Sequence, residues 1–522
     1  MSNDFTPVAI RDRIQTLDVV RGVALLGIAL MNVEFFNRPL ADLGAGMPAD
    51  LSGIDYWAGW LIHTFVRGKF WTMFSILFGM GFAVMLTRAQ DAGRGFVAPY
   101  LRRALALAGF GLLHGILLWS GDILLSYASA ALVLLLTLFG RFWHGLLAAA
   151  LAAIAAYALE MPGAAGFILV FALAGFVGAY LRGKREVALL GHSAPLWSLV
   201  MMTVGVLLVA GGLVGVAVSG PKLGGVVFGG LVVLLLGWLS ARFREPADKR
   251  SLRAGATLYL APFVAMTIGA AIALASPQPQ APKDKAAVAA TEKRLAEHRE
   301  ELAEETRVMS NGSYAQAVSL RARQFTQDYV NQSVFIVMVL GLFLMGMWFV
   351  QSGVMVHPQR HLALFRRLAF VGLPLGTALA VASSLVATHH VPTVNDARWQ
   401  LAMGVQMIGN LPMSLGYIAV VVLAMQGGWQ RVLGWLVAPM GRMALTNYIG
   451  QSVLGTLFFY GYGLGHWGMP RAQQVLYVLA VFALQVLVSR WWLSMFRFGP
   501  LEWVWRWITY GKRPPMRLAA SG

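Results

Sequence analysis

Long apolar runs, broken by short polar stretches, recur along almost the whole chain. A helix rising ~1.5 Å per residue needs about 20 such residues to cross the hydrocarbon core of a bilayer. The pattern predicts spans near 16–36, 70–88, 104–120, 123–140, 142–159, 163–181, 197–219, 223–241, 254–275, 332–352, 365–388, 400–425, 436–458 and 473–496. The fourth and fifth are short and separated by little more than Gly140-Arg141, so the expected number is about 12–14. The fold class this implies is an all-α polytopic integral membrane protein.

Basic residues in the breaks set an orientation. With the N-terminus inside, the even-numbered loops and the tail carry Arg88, Arg94, Arg102, Arg103, Arg141, Arg182, Arg250, Arg253, Arg366, Arg367, Arg497, Arg506 and Lys512, among others. The opposite short loops hold few. That alternation is what the positive-inside rule requires, and it predicts both termini in the cytoplasm. Four regions follow: 1–160, 161–275 with additional spans, a hydrophilic insertion over 276–332 expected in the periplasm, and 333–522.

The insertion opens on Pro277, Pro279 and Pro282 and continues as a charged helical stretch. Val288, Leu295, Leu302 and Met309 recur every seven residues as a thin apolar seam. It reads either as a cap over an outward-facing cavity or as a solvated linker hairpin. Tyr56, Trp57, Trp60, Phe70 and Trp71 suit the headgroup level before the second span. The tail FRFGPLEWVWRWITYGKRPPMR, tryptophans among arginines, is expected along the inner face.

Composition agrees with this picture. Of 522 residues 58% are hydrophobic and 12% charged, about half the charged fraction of a soluble domain. The net charge of +18 follows from the loop bias and does not call for nucleic acid. There is no cysteine, which excludes disulfides and thiolate chemistry. The first span interrupts its own apolar core with Arg21 and lacks a small-x-small cleavage pattern, so it is expected to be retained.

Charges inside spans mark candidate chemistry, because each costs roughly 2.5–3.5 kcal/mol on insertion scales and so faces protein or water. Asp18 and Arg21 lie one helical turn apart, and the same face reaches Asn32. In the third span His114 sits deep between Gly111 and Gly115, with Asp122 eight residues on and Tyr127 beyond. A histidine there suits proton transfer, held in one tautomer by a carboxylate; the alternative is a histidine satisfied by a neighbouring helix backbone. His63 and Lys69, before and at the start of the second span, are rivals, with surface or snorkelling roles as the alternative. The stretch GRMALTNYIGQS brings Arg442, Thr446, Asn447, Gln451 and Ser452 into twelve residues. Arg442, Asn447 and Gln451 are candidates to line a substrate path, or else to bond between helices. No metal site is expected: His389 and His390 have no third ligand nearby. The loop-charge alternation places Asp18 and Arg21 within about a turn of the cytoplasmic face and His114 and Asp122 in the outer half. One shared site would therefore be a channel-like cavity.

Three stretches, TLDVVRGVALLGIALMN, KFWTMFSILFGMGF with LHGILLWSGDILLSYA, and GRMALTNYIGQS…GYGLGHWG…FGPLEWVWRWITYG, resemble the YeiB-like bacterial inner-membrane family, a domain of unknown function. The middle, roughly 160–330, matches it weakly and reads as an elaboration of this chain. The Leu-Asp-x-x-Arg-Gly start is similar to that of the heparan-alpha-glucosaminide N-acetyltransferase group of transmembrane acyltransferases. That resemblance implies acyl transfer from acyl-CoA or acetyl-CoA to an envelope glycan or lipid in the bacterial inner membrane, without a metal. The group's His-x-x-Trp-x-Gly string maps onto His63 and Gly68, with Val66 in place of the tryptophan. On that expectation His114, with His63 as rival, is the base, Asp122 its orienter, and Arg21, paired with Asp18, the donor anchor. The competing expectations are a transporter or flippase of a small molecule or lipid, and a non-catalytic partner docking through the insertion.

Overall fold

The first apolar run folds as α1 (Gln15–Phe36), which ends at Asn37 just before Pro39. Proline cannot continue a helix and biases the residue before it away from helical geometry. The computed structural model describes residues 14–158, 165–183, 186–189, 192–219, 227, 230–231, 233–235, 237–238, 241, 249–276, 285–330, 332–392, 394 and 396–518. The span expected near 223–241 falls largely outside them.

Nearly all described elements are helices. They are α1, α2 (Gly53–Phe65), α3 (Lys69–Asp91), α4 (Val97–Leu113), α5 (Leu124–Phe139), α6 (Phe142–Ala158), α7 (Ala165–Arg182), α8 (Leu196–Ser219) and α9 (Arg250–Ala275). After these come α10 (Lys285–Asn311), α11 (Tyr314–Val330), α12 (Ser333–Gln351), α13 (Leu362–Val386) and α14 (Ala397–Met425). The last are α15 (Gln430–Leu436), α16 (Ala438–Arg442), α17 (Ala444–Phe459), α18 (Arg471–Met495) and α19 (Pro500–Tyr510). One antiparallel hairpin pairs β1 (Glu186–Leu189) with β2 (His192–Pro195). Among the described residues nine helices are long and apolar enough to cross a membrane, counting Gly53–Asp91 as one, and three further apolar helices are shorter. The protein is an all-α, multi-pass membrane protein.

The chain divides into two compact units, one of Met1–Ala131 with Gly255–Gly522, the other of Leu132–Ala254. In the second unit α6 and α7 cross at Gly145 and Gly175, where the two backbones meet. In the first, α12 is buried along most of its length against α3. A Cβ at Gly79 would run into the Phe343 backbone, and one at Gly346 into that of Ile76, so both glycines are needed for this approach. Phe78 stacks on Phe343 at the same crossing, with ring centroids 4.9 Å apart.

Two expectations change. The span predicted near 436–458 is not continuous: Met443 leaves helical geometry, and α16 and α17 are separate helices. The cause lies in the tail, where α19 buries Glu502. Its Oε1 accepts from the backbone N–H groups of Leu445 (2.6 Å) and Thr446 (3.0 Å), and its Oε2 from the Thr446 hydroxyl (2.6 Å). A carboxylate thus satisfies the first-turn donors of α17 and lies at the positive end of its dipole. Burial pushes the Glu502 carboxyl above its ordinary value, while these bonds pull it down. Glu502→Ala would strand two buried N–H groups and is expected to cost about 2 kcal/mol of stability. The check is the unfolding midpoint in detergent, where Glu502→Gln, which keeps an acceptor, should lose less.

The insertion is a docked helical pair. Along its apolar seam Val288 is exposed, Leu295 and Leu302 are half-buried, and Met309 is buried. Met309, Ala317 and Leu320 enter a cluster with Phe36, Trp119 and Phe459. That packing sets aside the solvated-linker reading.

Candidate functional site

At the end of α4 the helix widens. His114–Leu118 form a π turn, with the Trp119 N–H reaching back five residues to the His114 carbonyl (2.8 Å). Such turns are rare and concentrate at functional sites. The chain then leaves helical geometry at Trp119 and returns towards α5 through Gly121-Asp122. A Cβ at Gly111 would strike the Leu125 backbone and crowd the Asp122 carboxylate, so glycine lets this return lie flat on α4.

The return brings Asp122 onto His114. His114 Nδ1 and Asp122 Oδ1 are 2.9 Å apart, and Asp122 Oδ2 accepts from the Leu125 N–H at 2.8 Å. On the other side His114 Nε2 is 2.8 Å from Ser452 Oγ, a residue of α17. In the tautomer whose Nδ1 donates to the carboxylate, Nε2 is left to accept from the Ser452 hydroxyl. His114 and Ser452 are buried, and the Tyr448 ring lies beside the imidazole, its centroid 5.2 Å away. This is a serine–histidine–carboxylate relay with each partner at hydrogen-bond distance, an arrangement recognised by geometry and not by sequence order.

A cavity of about 500 Å³ reaches this region. Its lining includes the charged side chains Asp18, Arg21, Arg88, Arg94, Arg103, Arg442, Glu502 and Arg506, and the apolar and aromatic Phe74, Phe78, Ile123, Tyr127 and Tyr448. Six guanidinium groups against two carboxylates give it a strong preference for anions. Asp18 and Arg21 form the expected ion pair at 2.9 Å, and Arg103 lies 3.8 Å over the Trp505 ring. Ser452 itself faces a second cavity of about 20 Å³ with Asn32, Gln451 and Tyr477, and Tyr448 lines both cavities.

The other sequence candidates part from this group. Tyr127 lines the large cavity, donating to the Trp71 carbonyl (3.0 Å) and bonding Ser75 (2.8 Å). Asn447 is directed at α18, where its Nδ2 donates to Ser489 (2.9 Å), and Gln451 Nε2 donates to Gln485 (3.1 Å). Those two follow the interhelical alternative, although Gln451 also borders the small cavity. His63 borders a different void of about 10 Å³ with Glu34, Arg67 and Arg471, sharing no lining residue with the large cavity. Lys69 is buried, its Nζ unpartnered, and it lines none of these cavities. Among the described residues no group of three or more His, Asp or Glu side chains is placed to hold a metal. The member that sequence reasoning missed is Ser452, 338 residues from His114. Its one signal was membership of the polar run in α17.

Comparisons agree with the resemblance read from the motifs. Residues 349–512 match the family described as "Protein of unknown function (DUF418)". The chain is 27% identical over 515 residues to "Uncharacterized protein YxaH" of Bacillus subtilis (strain 168), covering 97% of this chain and 96% of that one. It is 26% identical over 519 residues to "Uncharacterized protein YeiB" of Escherichia coli (strain K12), covering 95% and 96% respectively. A 39.9 kDa uncharacterized protein of Bacillus acidopullulyticus is 40% identical over 129 residues, 25% of this chain and 35% of that one. The two long matches run through the middle region, so 160–330 is not an elaboration peculiar to this chain. No solved structure matches.

Proposed function

We propose that this YeiB-like membrane protein is an acyltransferase that uses Ser452, His114 and Asp122 to move an acyl group from an acyl-CoA to an envelope glycan or lipid. The observation that carries the reading is His114 bonded through both ring nitrogens, one to a carboxylate and one to a hydroxyl. That pairing is what a hydroxyl nucleophile needs, since a serine hydroxyl without an adjacent base is too weak a nucleophile to attack a thioester.

In the reaction Ser452 Oγ adds to the thioester carbonyl while its proton passes to His114 Nε2. The C–S bond breaks, and the departing CoA thiolate takes that proton. A hydroxyl or amine of the acceptor then adds to the seryl ester and gives its proton to His114. The C–Oγ bond breaks, and Ser452 recovers the proton. Asp122 keeps Nδ1 protonated throughout and balances the imidazolium that forms twice. The arginines lining the large cavity suit the phosphates of CoA, and its aromatic lining residues suit the acyl arm. Tyr448, in both cavity walls, is the ring the acyl group passes to reach Ser452. The loop-charge bias supports a cytosolic opening for the arginines and placement in the bacterial inner membrane.

Protein in nanodiscs is expected to form a serine adduct with an alkyl fluorophosphonate and an acyl-serine with a labelled acyl-CoA, both on the peptide carrying Ser452. Absence of any adduct at Ser452 with either reagent would sink the proposal. The break between α16 and α17 beside the cavity favours a second reading, a transporter of an anionic solute or lipid, because transporters place half-helix ends at their sites. Counterflow of such a solute in proteoliposomes without acyl-CoA would support it.

A further inference from the structure

The π turn that carries His114 ends in a problem of buried polar groups. Beyond Leu118 the chain is extended, so the carbonyls of Ile116 and Leu117 lie in the last turn of a helix, where intrahelical donors run out. The donors come from the helical insertion. Arg321 of α11 gives Nε to the Ile116 carbonyl (2.9 Å) and Nη2 to the Leu117 carbonyl (3.0 Å). The Tyr314 hydroxyl adds a bond to Leu117 at 3.0 Å. Arg321 is only 1% exposed, although Ala322 and Arg323 next to it face outward. Its remaining nitrogen, Nη1, is buried without a hydrogen-bond partner. Beside it Phe325 closes over Gly115, the residue after His114.

We propose that Arg321 is a positioning residue: it holds the π turn in its widened form and so aims His114 at Ser452. The inference rests on the reading of His114 as the base that activates Ser452. A guanidinium is suited to this because its planar fork reaches two carbonyls together, and a cation at a helix C-terminus is electrostatically favoured. Without those donors the carbonyls must find others, and the turn can regain them by tightening towards α-helical pairing. Tightening replaces the Trp119 bond to the His114 carbonyl by one from Leu118 and so shifts the backbone of the turn that starts at His114. Asp122 and Ser452 come from other segments and do not shift with it. The insertion thereby belongs to the catalytic centre.

The test uses the full-length protein in nanodiscs and an alkyl fluorophosphonate, with the labelling rate of Ser452 measured per folded molecule across pH. In this reaction Oγ attacks phosphorus, fluoride leaves, and the serine proton goes to His114. Arg321→Gln is expected to slow labelling about 10–100-fold and to change the pH profile. The plateau left by a histidine base gives way to a rate that rises with hydroxide concentration, as in His114→Ala. Arg321→Lys, which keeps the charge and loses the fork, should fall between. In the His114→Ala background Arg321→Gln should cost nothing more, because both changes remove one device. A merely structural arginine would lower the yield of folded protein and leave rate and profile untouched; that result overturns the inference. So does full additivity with His114→Ala. If Arg321→Gln does not fold, Arg321→Lys and Tyr314→Phe carry the same comparison. A His114→Ala protein that labels like the wild type would remove the base itself, and the inference with it. A slow His114→Ala beside a normal Arg321→Gln would remove the inference alone.

Discussion

Ser452→Ala is expected to abolish the acyl-serine and phosphonyl-serine adducts, and His114→Ala to slow their formation by about 10²–10⁴-fold. The difference between the two follows from chemistry. Alanine at 452 removes the atom to which the new bond is made. Alanine at 114 leaves the hydroxyl in place and removes only the acceptor of its proton. Neither change should unfold the protein. Ser452 makes one side-chain bond, to His114, and in His114→Ala the Asp122 carboxylate keeps its bond from the Leu125 N–H. The measurement is the second-order rate of adduct formation, read by intact mass and by the peptide carrying residue 452. Equal rates for wild type and His114→Ala would mean that the 2.8 Å contact to Ser452 is a packing bond and that the serine is not activated.

Asp122→Asn should lower the same rate by about 10³–10⁴-fold while leaving the fold intact, the magnitude seen when a relay carboxylate becomes an amide. Asparagine has nearly the same shape and can still accept from the Leu125 N–H through its oxygen. That choice turns its NH₂ towards His114, and an NH₂ cannot accept the Nδ1 proton. The imidazole then moves its proton to Nε2, the nitrogen that must receive the proton of Ser452. Loss of rate with an unchanged unfolding midpoint separates this effect from damage to the turn. A rate within a few-fold of wild type would reduce Asp122 to an anchor for the start of α5.

Much of the fold was legible because a bilayer imposes a coarse rule: an apolar run of a certain length crosses it. Helices α1, α3, α9, α12, α14 and α18 fall where that rule places them. The break at Met443 did not show, because its cause, Glu502, lies 57 residues beyond the donor it captures. Within the site, Asp18–Arg21 could be read from helical spacing. The nearness of His114 to Asp122 could be suspected from a short loop and two glycines. Ser452 could not be singled out from Asn447 and Gln451 on the same helix, since only the rotation of α17 about its axis decides which of them meets His114. Arg321 left no sign at all. Its acceptors are backbone carbonyls, which every residue has, and the π turn that exposes them has no side-chain signature.

Glu502 also orders the assembly of the protein in time. A chain is synthesised from its N-terminus, so α19 is made after the helices it packs on. By the time α18 has been made, the described membrane-spanning helices have all been made, and so have the segments that carry His114 and Ser452. The first turn of α17 still lacks its acceptor, and the cavity still lacks the wall that Trp505, Arg506 and Tyr510 supply. The last short helix therefore acts as a keystone laid after the arch. Until α19 is made, the large cavity stays open on the side that these residues supply.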